Sequence, residues 1–205
     1  MTPRIVIVGA GFGGIGIGIQ LRRAGIDSFT ILEKADGVGG VWRANTYPGL
    51  TCDVPSHLYS FSFEPNHDWT RRFPPQAEIL AYLERCADRH GLRDHIRLGT
   101  EVVAAEFDHD RGGWRIELTG GERIDTDVLV AATGQLSRPA YPSISGLDEF
   151  EERASSSTPR AGTTTTIWRA SASRWSGPGR ARPSSFPRLP PGCRGCWSSS
   201  ARRRG

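Results

Sequence analysis

An α/β fold is predicted for residues 1–150: a buried parallel sheet within a three-layer arrangement, a β-hairpin inserted into it, and a disordered tail over residues 151–205. Three observations carry this expectation. A β-branched strand runs straight into a glycine-rich turn and a helix; a second apolar strand closes on a carboxylate; and the composition changes abruptly near Glu152.

Arg4 to Val8 (R-I-V-I-V) is a short apolar run of the kind buried on both faces of a sheet. Gly9-Ala-Gly-Phe-Gly-Gly14 follows, and Ile15 to Ala24 continues in a helix-compatible pattern. Gly9 permits a tight turn, Gly11 lets the backbone approach a pyrophosphate, and Gly14 lets helix and strand pack closely. The helix N-terminus then offers free N–H groups to the anion. Gly16 and Gly18 inside the helix each cost about 1 kcal/mol relative to alanine, so the helix depends on tertiary packing. Ser28 to Leu32 (S-F-T-I-L) reads as the second strand. It ends on Glu33, about twenty residues past the turn, where a carboxylate can hold a ribose hydroxyl pair. Strand, turn, helix, strand and acid together read as a Rossmann-like dinucleotide-binding unit.

Further along, Gln76 to His90 places apolar residues at helical spacing and stops at Gly91, which predicts an amphipathic helix. Glu101 to Phe107 and Trp114 to Leu118 alternate around Asp108-His-Asp-Arg-Gly-Gly113, a hairpin pattern. Asp127 to Ala132 (D-V-L-V-A-A) reads as another buried strand. His57, His67, His90, His95 and His109 have no metal-ligand spacing. Cys52 and Cys86 are isolated, and Cys193-Arg-Gly-Cys196 lacks a second pair, so no metal site is expected. Met1-Thr-Pro-Arg leads into a strand without an apolar leader, and no run is long enough to span a membrane, so a cytoplasmic protein is expected.

Arg153 to Gly205 contains eleven arginines and no carboxylate, whereas the residues before it hold fifteen cations against twenty-two carboxylates. Only Ile167, Phe186 and Leu189 in this tail are Leu, Ile, Val or Phe, far below the roughly 20% needed to bury a core, and disorder is expected. Two explanations account for such a tail. It is a basic arm for an anionic partner, or its codons are read out of frame. The second is favoured by the genetic code. Read one nucleotide earlier with G/C-leaning codons, Ser157 to Trp168 can spell F-H-S-A-R-W-D-H-D-Y-D-L, and Trp175 to Arg182 can spell V-V-G-T-G-A-S-A, a strand entering a second glycine turn. Twenty-five arginines against the single Lys34 fit GC-rich coding, which yields Arg, Pro, Gly, Ser and Ala when slipped.

After Glu33 the chain continues with Gly39-Gly-Val-Trp42, Tyr47-Pro-Gly-Leu-Thr-Cys-Asp53, Tyr59-Ser-Phe-Ser-Phe63 and Ala132-Thr-Gly-Gln-Leu-Ser137-x-Pro139. With the first glycine turn and Glu33, these motifs resemble the FAD-dependent monooxygenases that use NADPH and oxygen, the Baeyer–Villiger monooxygenases and flavin-containing monooxygenases, over roughly residues 3 to 150.

The resemblance implies an FAD site. Gly9, Gly11 and Gly14 would cradle the pyrophosphate, and Glu33 would bind the adenosine ribose. Gly40, Val41 and Trp42 would pass along the flavin side, Asp53 would lie near the isoalloxazine and the incoming nicotinamide, and Tyr59 would pack beside the flavin. Val102 would meet the adenine region through its backbone, and Gly134 would bring the returning strand close to FAD. From the residues alone, Trp42 and Tyr47 read equally as hydrophobes covering a loop, and Asp53 as a turn cap. The implied chemistry is NADPH-driven insertion of oxygen into a ketone. No catalytic residue is assigned in this chain: the family's linker F-x-G-x-x-x-H-x-x-x-W is met only by Gly146 to Phe150, with Glu152 where glycine belongs, and the NADPH site and catalytic arginine are expected to be missing. The expected protein is thus an inactive FAD-binding segment, nucleic acid being a disfavoured partner. Two alternatives remain at this point: a small FAD oxidoreductase with another reductant, and a non-catalytic nucleotide-binding module with a basic nucleic-acid-binding tail.

Overall fold

A computed structural model describes residues 2–138. The tail, the Cys193–Cys196 pair, the linker motif and the alternative reading frame lie outside the described residues.

Strand β1 (Ile5–Val8) enters helix α1 (Phe12–Arg23) through the glycine turn, and β2 (Phe29–Leu32) follows. A short helix α2 (Val41–Ala44) and the long α3 (Gln76–Arg89) precede β3 (Ile96–Arg97), β4 (Val102–Asp108), β5 (Gly113–Leu118), β6 (Arg123–Thr126) and β7 (Val128–Ala131). Four strands form a parallel sheet in the order β3-β2-β1-β7. β1 therefore has β2 on one side, aligned Ile5 to Phe29, and β7 on the other, aligned Ile5 to Val128. The chain leaves β1 through α1 toward β2, while β7 adds on the other side from far along the sequence.

Because neighbouring side chains of a strand point to opposite faces, β1 supplies two cores at once. Ile5 and Ile7 join Phe29 and Ile31 of β2, Ile15 and Ile19 of α1, and Ile79 and Leu83 of α3 in the larger core. Val6 and Leu32 meet Ile116 and Leu118 of β5 on the other face. Each fully buried aliphatic side chain contributes about 1.5–3 kcal/mol of transfer free energy. The three layers are thus helices, parallel sheet and antiparallel sheet.

The antiparallel layer extends the expected hairpin by a third strand. β4 and β5 pair as expected, Phe107 opposite Trp114, but β5 also pairs with β6, Ile116 opposite Ile124, in the order β4-β5-β6. Arg123-Ile-Asp-Thr126 carries two charges in four residues, so its strand character comes from its place beside β5 and not from its own pattern. β3, two residues long, escapes any periodicity for the same reason.

Packing also explains the glycines within α1. A Cβ at Gly18 would stand 3.0 Å from Ile31 Cδ1, and one at Gly16 would stand 2.9 Å from Phe61 Cε1. Their lack of side chains lets α1 sit down on β2 and on the aromatic turn at Phe61. α3 presents Ile79, Tyr82, Leu83, Cys86 and Ala87 to the core and closes at Gly91 as expected. Among the described residues no helix is long and apolar enough to cross a membrane.

Two glycines of the turn should separate folding from site geometry. A Cβ at Gly14 would overlap the carbonyl oxygen of Gly9, while one at Gly11 would rest 3.6 Å from Gly40 Cα in ordinary contact. Gly14→Ala is expected to lower stability by at least about 3 kcal/mol, and Gly11→Ala by no more than about 1 kcal/mol. Urea unfolding of both variants measures this; equal losses would contradict it.

Candidate functional site

The carboxyl end of β1 is where the backbone is most crowded. Gly9 adopts φ +104°, a left-handed conformation that favours glycine, and a Cβ there would lie 2.6 Å from the carbonyl oxygen of Ala132. Gly9 N–H donates to Leu32 O at 2.8 Å, and Ala132 N–H donates to Val8 O at 2.9 Å, so β2 and β7 grip the turn from both sides. Glu33 is buried, 7% exposed, and its carboxylate accepts N–H bonds from Ala10 at 2.7 Å and Ala35 at 2.9 Å. The acid that ends β2 therefore holds the turn that ends β1. Each carboxylate oxygen keeps further acceptor capacity for a hydroxyl.

Helix α1 starts directly from this turn. Gly11 is its N-cap and supplies no side-chain cap, and its first turn carries no acidic residue. The leading amides and the positive end of the helix dipole are thus left for an anion.

A second glycine loop faces the first. Gly39 N–H donates to Ala10 O at 2.8 Å, and Gly40, at φ +56°, comes so close to Gly11 that a Cβ on Gly40 would be 3.0 Å from Gly11 Cα. The two glycine backbones pack directly against each other with no side chain between them.

An aromatic cluster lies beyond Gly40. Trp42 Nε1–H donates to Tyr59 Oη at 3.0 Å, the rings meeting edge to face at 5.6 Å. Phe12, the first residue of α1, meets Tyr59 edge-on at 5.2 Å. The side-chain amide of Gln76 donates to Trp42 O, tying this cluster to α3. Burial pushes the Tyr59 phenol up to about 12. Cys52 and Cys86 are free and buried, and burial pushes both thiols up, away from reactive thiolate character.

Eight of the expected residues, Gly9, Gly11, Gly14, Glu33, Gly40, Val41, Trp42 and Tyr59, fall together around the end of β1 and the start of α1. Three stand apart from them. Val102 begins β4 on the β2 side, where Thr100 N–H donates to Glu33 O at 2.8 Å. Gly134 follows Ala132 on the β7 side. Asp53 is exposed, with Oδ1 3.9 Å from Cys52 Sγ. Phe12 and the Ala10 amide, both inside the glycine motif, also contribute here and are absent from the expected set. Among the described residues no group of His, Cys, Asp and Glu could hold a metal ion.

A family model described as pyridine nucleotide-disulphide oxidoreductase matches residues 6–166. A Baeyer-Villiger monooxygenase of Streptomyces coelicolor is 52% identical over 147 residues, which cover 72% of this chain and 28% of that protein. Cyclohexanone monooxygenase from Rhodococcus sp. Phi1 bound to NADP+ superposes with TM-score 0.68 at 37% identity, covering 80% of this chain and 31% of that one. OTEMO in complex with FAD and NADP superposes with TM-score 0.65 at 33% identity, covering 72% and 29%. The chain thus spans less than a third of the length of these relatives.

Tyr59 gives a pH prediction. Its folded pKa of about 12 exceeds the ordinary 10.0, so the stability it contributes is complete below pH 10 and is lost as the pH rises through about 12. Alkaline unfolding followed by circular dichroism should steepen in that window and flatten in Tyr59→Phe. That variant should also lose about 1–3 kcal/mol at neutral pH, because the Trp42 N–H loses its acceptor. Identical alkaline curves would contradict the assignment.

Proposed function

We propose, from the fact that this chain belongs to the pyridine nucleotide-disulphide oxidoreductase family, that it is the FAD-binding segment of a Baeyer–Villiger-type monooxygenase. The observation that carries this reading is the contact of the bare Gly11 and Gly40 backbones, flanked by the buried Glu33 carboxylate at Ala10 and by Trp42 and Tyr59 beyond Gly40. An extended cofactor with a ribose, a pyrophosphate and a flat ring system fits that succession. The sugar meets an acid, the anion meets bare helix amides, and the ring meets aromatic side chains.

In this reading the α1 amides behind Gly9, Gly11 and Gly14 hold the pyrophosphate, and Glu33 accepts from the adenosine ribose hydroxyls. The Val102 backbone borders the adenine, and Gly134 lets the strand after β7 approach the cofactor. Gly40, Val41 and Trp42 line the path to the flavin, Tyr59 packs beside it, and Asp53 stands at the nicotinamide side. Tyr59, held neutral by burial, gives its oxygen to Trp42 and so fixes that wall without placing a charge against the ring. When bound, FAD supplies the redox chemistry by which NADPH and oxygen convert a ketone to an ester or lactone. Within residues 175–182 the second dinucleotide turn that NADPH would need is legible only in the alternative frame.

Purified protein should retain FAD, read by flavin absorbance, and leave NADH unbound. Glu33→Gln should weaken FAD by about ten-fold or more, as charge-assisted bonds to the ribose are lost. Gly11→Ala should fold and fail to retain FAD, because the methyl keeps the pyrophosphate from close approach to the backbone. Tight NADH binding with indifference to FAD would reject the flavin reading. NADPH oxidation with a ketone panel should be absent here and present in a chain whose frame is restored near codon 152; equal ketone-stimulated turnover would reject the inactive-segment reading.

A further inference from the structure

The second glycine loop, residues 36–40, has no strand or helix of its own to hold it, yet it must keep Gly40 against Gly11. One side chain spans it. Arg43 Nε donates to Val38 O at 2.9 Å, Nη1 reaches Asp36 Oδ1 at 3.3 Å, and Nη2 reaches Glu84 Oε1 of α3 at 3.2 Å. The guanidinium lies over Gly37 so closely that a Cβ there would overlap it. Arg43 is 30% exposed, and Glu84 is 37% exposed.

We infer that Arg43 is a positioning residue for cofactor binding: its three-way guanidinium clamp sets the loop, and thereby the separation of Gly40 from Gly11. The geometry needs an arginine. A planar fork can meet a carbonyl and two carboxylates in different directions, whereas a lysine ammonium is a point charge that serves one or two of them. Asp36 is almost fully exposed and contributes little by itself. The anchor is Val38 O on the loop side and Glu84 on the α3 side. Since α3 is packed into the larger core through Ile79 and Leu83, the clamp refers the loop to the rigid body of the protein. Arg43 touches neither Gly11 nor α1 in any of these contacts, so its action on the Gly40–Gly11 contact goes through the loop. The consequence for affinity rests on the flavin reading above; the positioning of the loop does not.

The test uses the 205-residue protein and two readouts. Hydrogen exchange follows the Gly39 amide, which is bonded to Ala10 O, and flavin absorbance or fluorescence gives the FAD dissociation constant. Arg43→Ala and Arg43→Lys are expected to speed Gly39 exchange by about ten-fold or more, while α3 and β1 amides keep their protection. FAD should weaken by a similar factor in both variants. Glu84→Ala should act in the same direction, and adding it to Arg43→Ala should cause little further change, as for two partners of one interaction. If Arg43→Ala proves too unstable, Gly37→Ala displaces the guanidinium while keeping the arginine and should reproduce the fast Gly39 exchange. Gly39 exchange unchanged in the arginine variants, or accelerated only together with α3 and β1, would overturn the inference. If wild-type protein takes up no FAD, the flavin reading fails and the exchange data alone decide the role of Arg43.

Discussion

Ala10 N–H donates to the buried carboxylate of Glu33 across 2.7 Å, and the shape of the site depends on that bond. A buried carboxylate is tolerated only where donors satisfy it, and here the donors are backbone amides of the turn and of Ala35. The same carboxylate fixes how far the end of β1 stands from the end of β2. With the turn fixed, α1 can start at Phe12 with its amides bare, and Ala10 O can accept from Gly39 to bring in the second loop. Sheet order matters because β1 lies between β2, reached through α1, and β7, which arrives from far along the chain.

Much of this was legible in the sequence because dinucleotide sites are built from backbone, and backbone demands leave glycines at fixed places. Gly9 and Gly14 stand where a Cβ would meet Ala132 O or Gly9 O, so their spacing carries three-dimensional information. Glu33 was legible through its distance from the turn, but its bond to Ala10 was not, since a ribose-binding role and a turn-holding role place the same residue at the same position. The α3 helix was readable from its apolar stripe alone.

What escaped the sequence depends on partners far along the chain. β6 is a strand because β5 lies beside it, and its two charged residues hide that. Arg43 looks like any surface arginine until α2 and α3 bring it between Val38 O and Glu84. Phe12 sits in a motif read for its glycines, although its ring joins Tyr59 and Phe61 into the aromatic cluster that covers α1. Trp42 and Tyr59 are joined by one hydrogen bond and one edge-to-face contact, which hold the loop wall together.

In the proposed reading an extended dinucleotide lies across the Gly11–Gly40 contact with its anionic middle on the start of α1. Amide chemical shifts followed while FAD is titrated into the protein test this most directly. The resonances of Ala10, Gly11, Phe12, Gly13 and Gly40 should move together and saturate at one stoichiometric equivalent, with the indole N–H of Trp42 following. Saturating shifts confined to the β4–β5 hairpin, with the Gly11 and Phe12 amides unmoved, would contradict it.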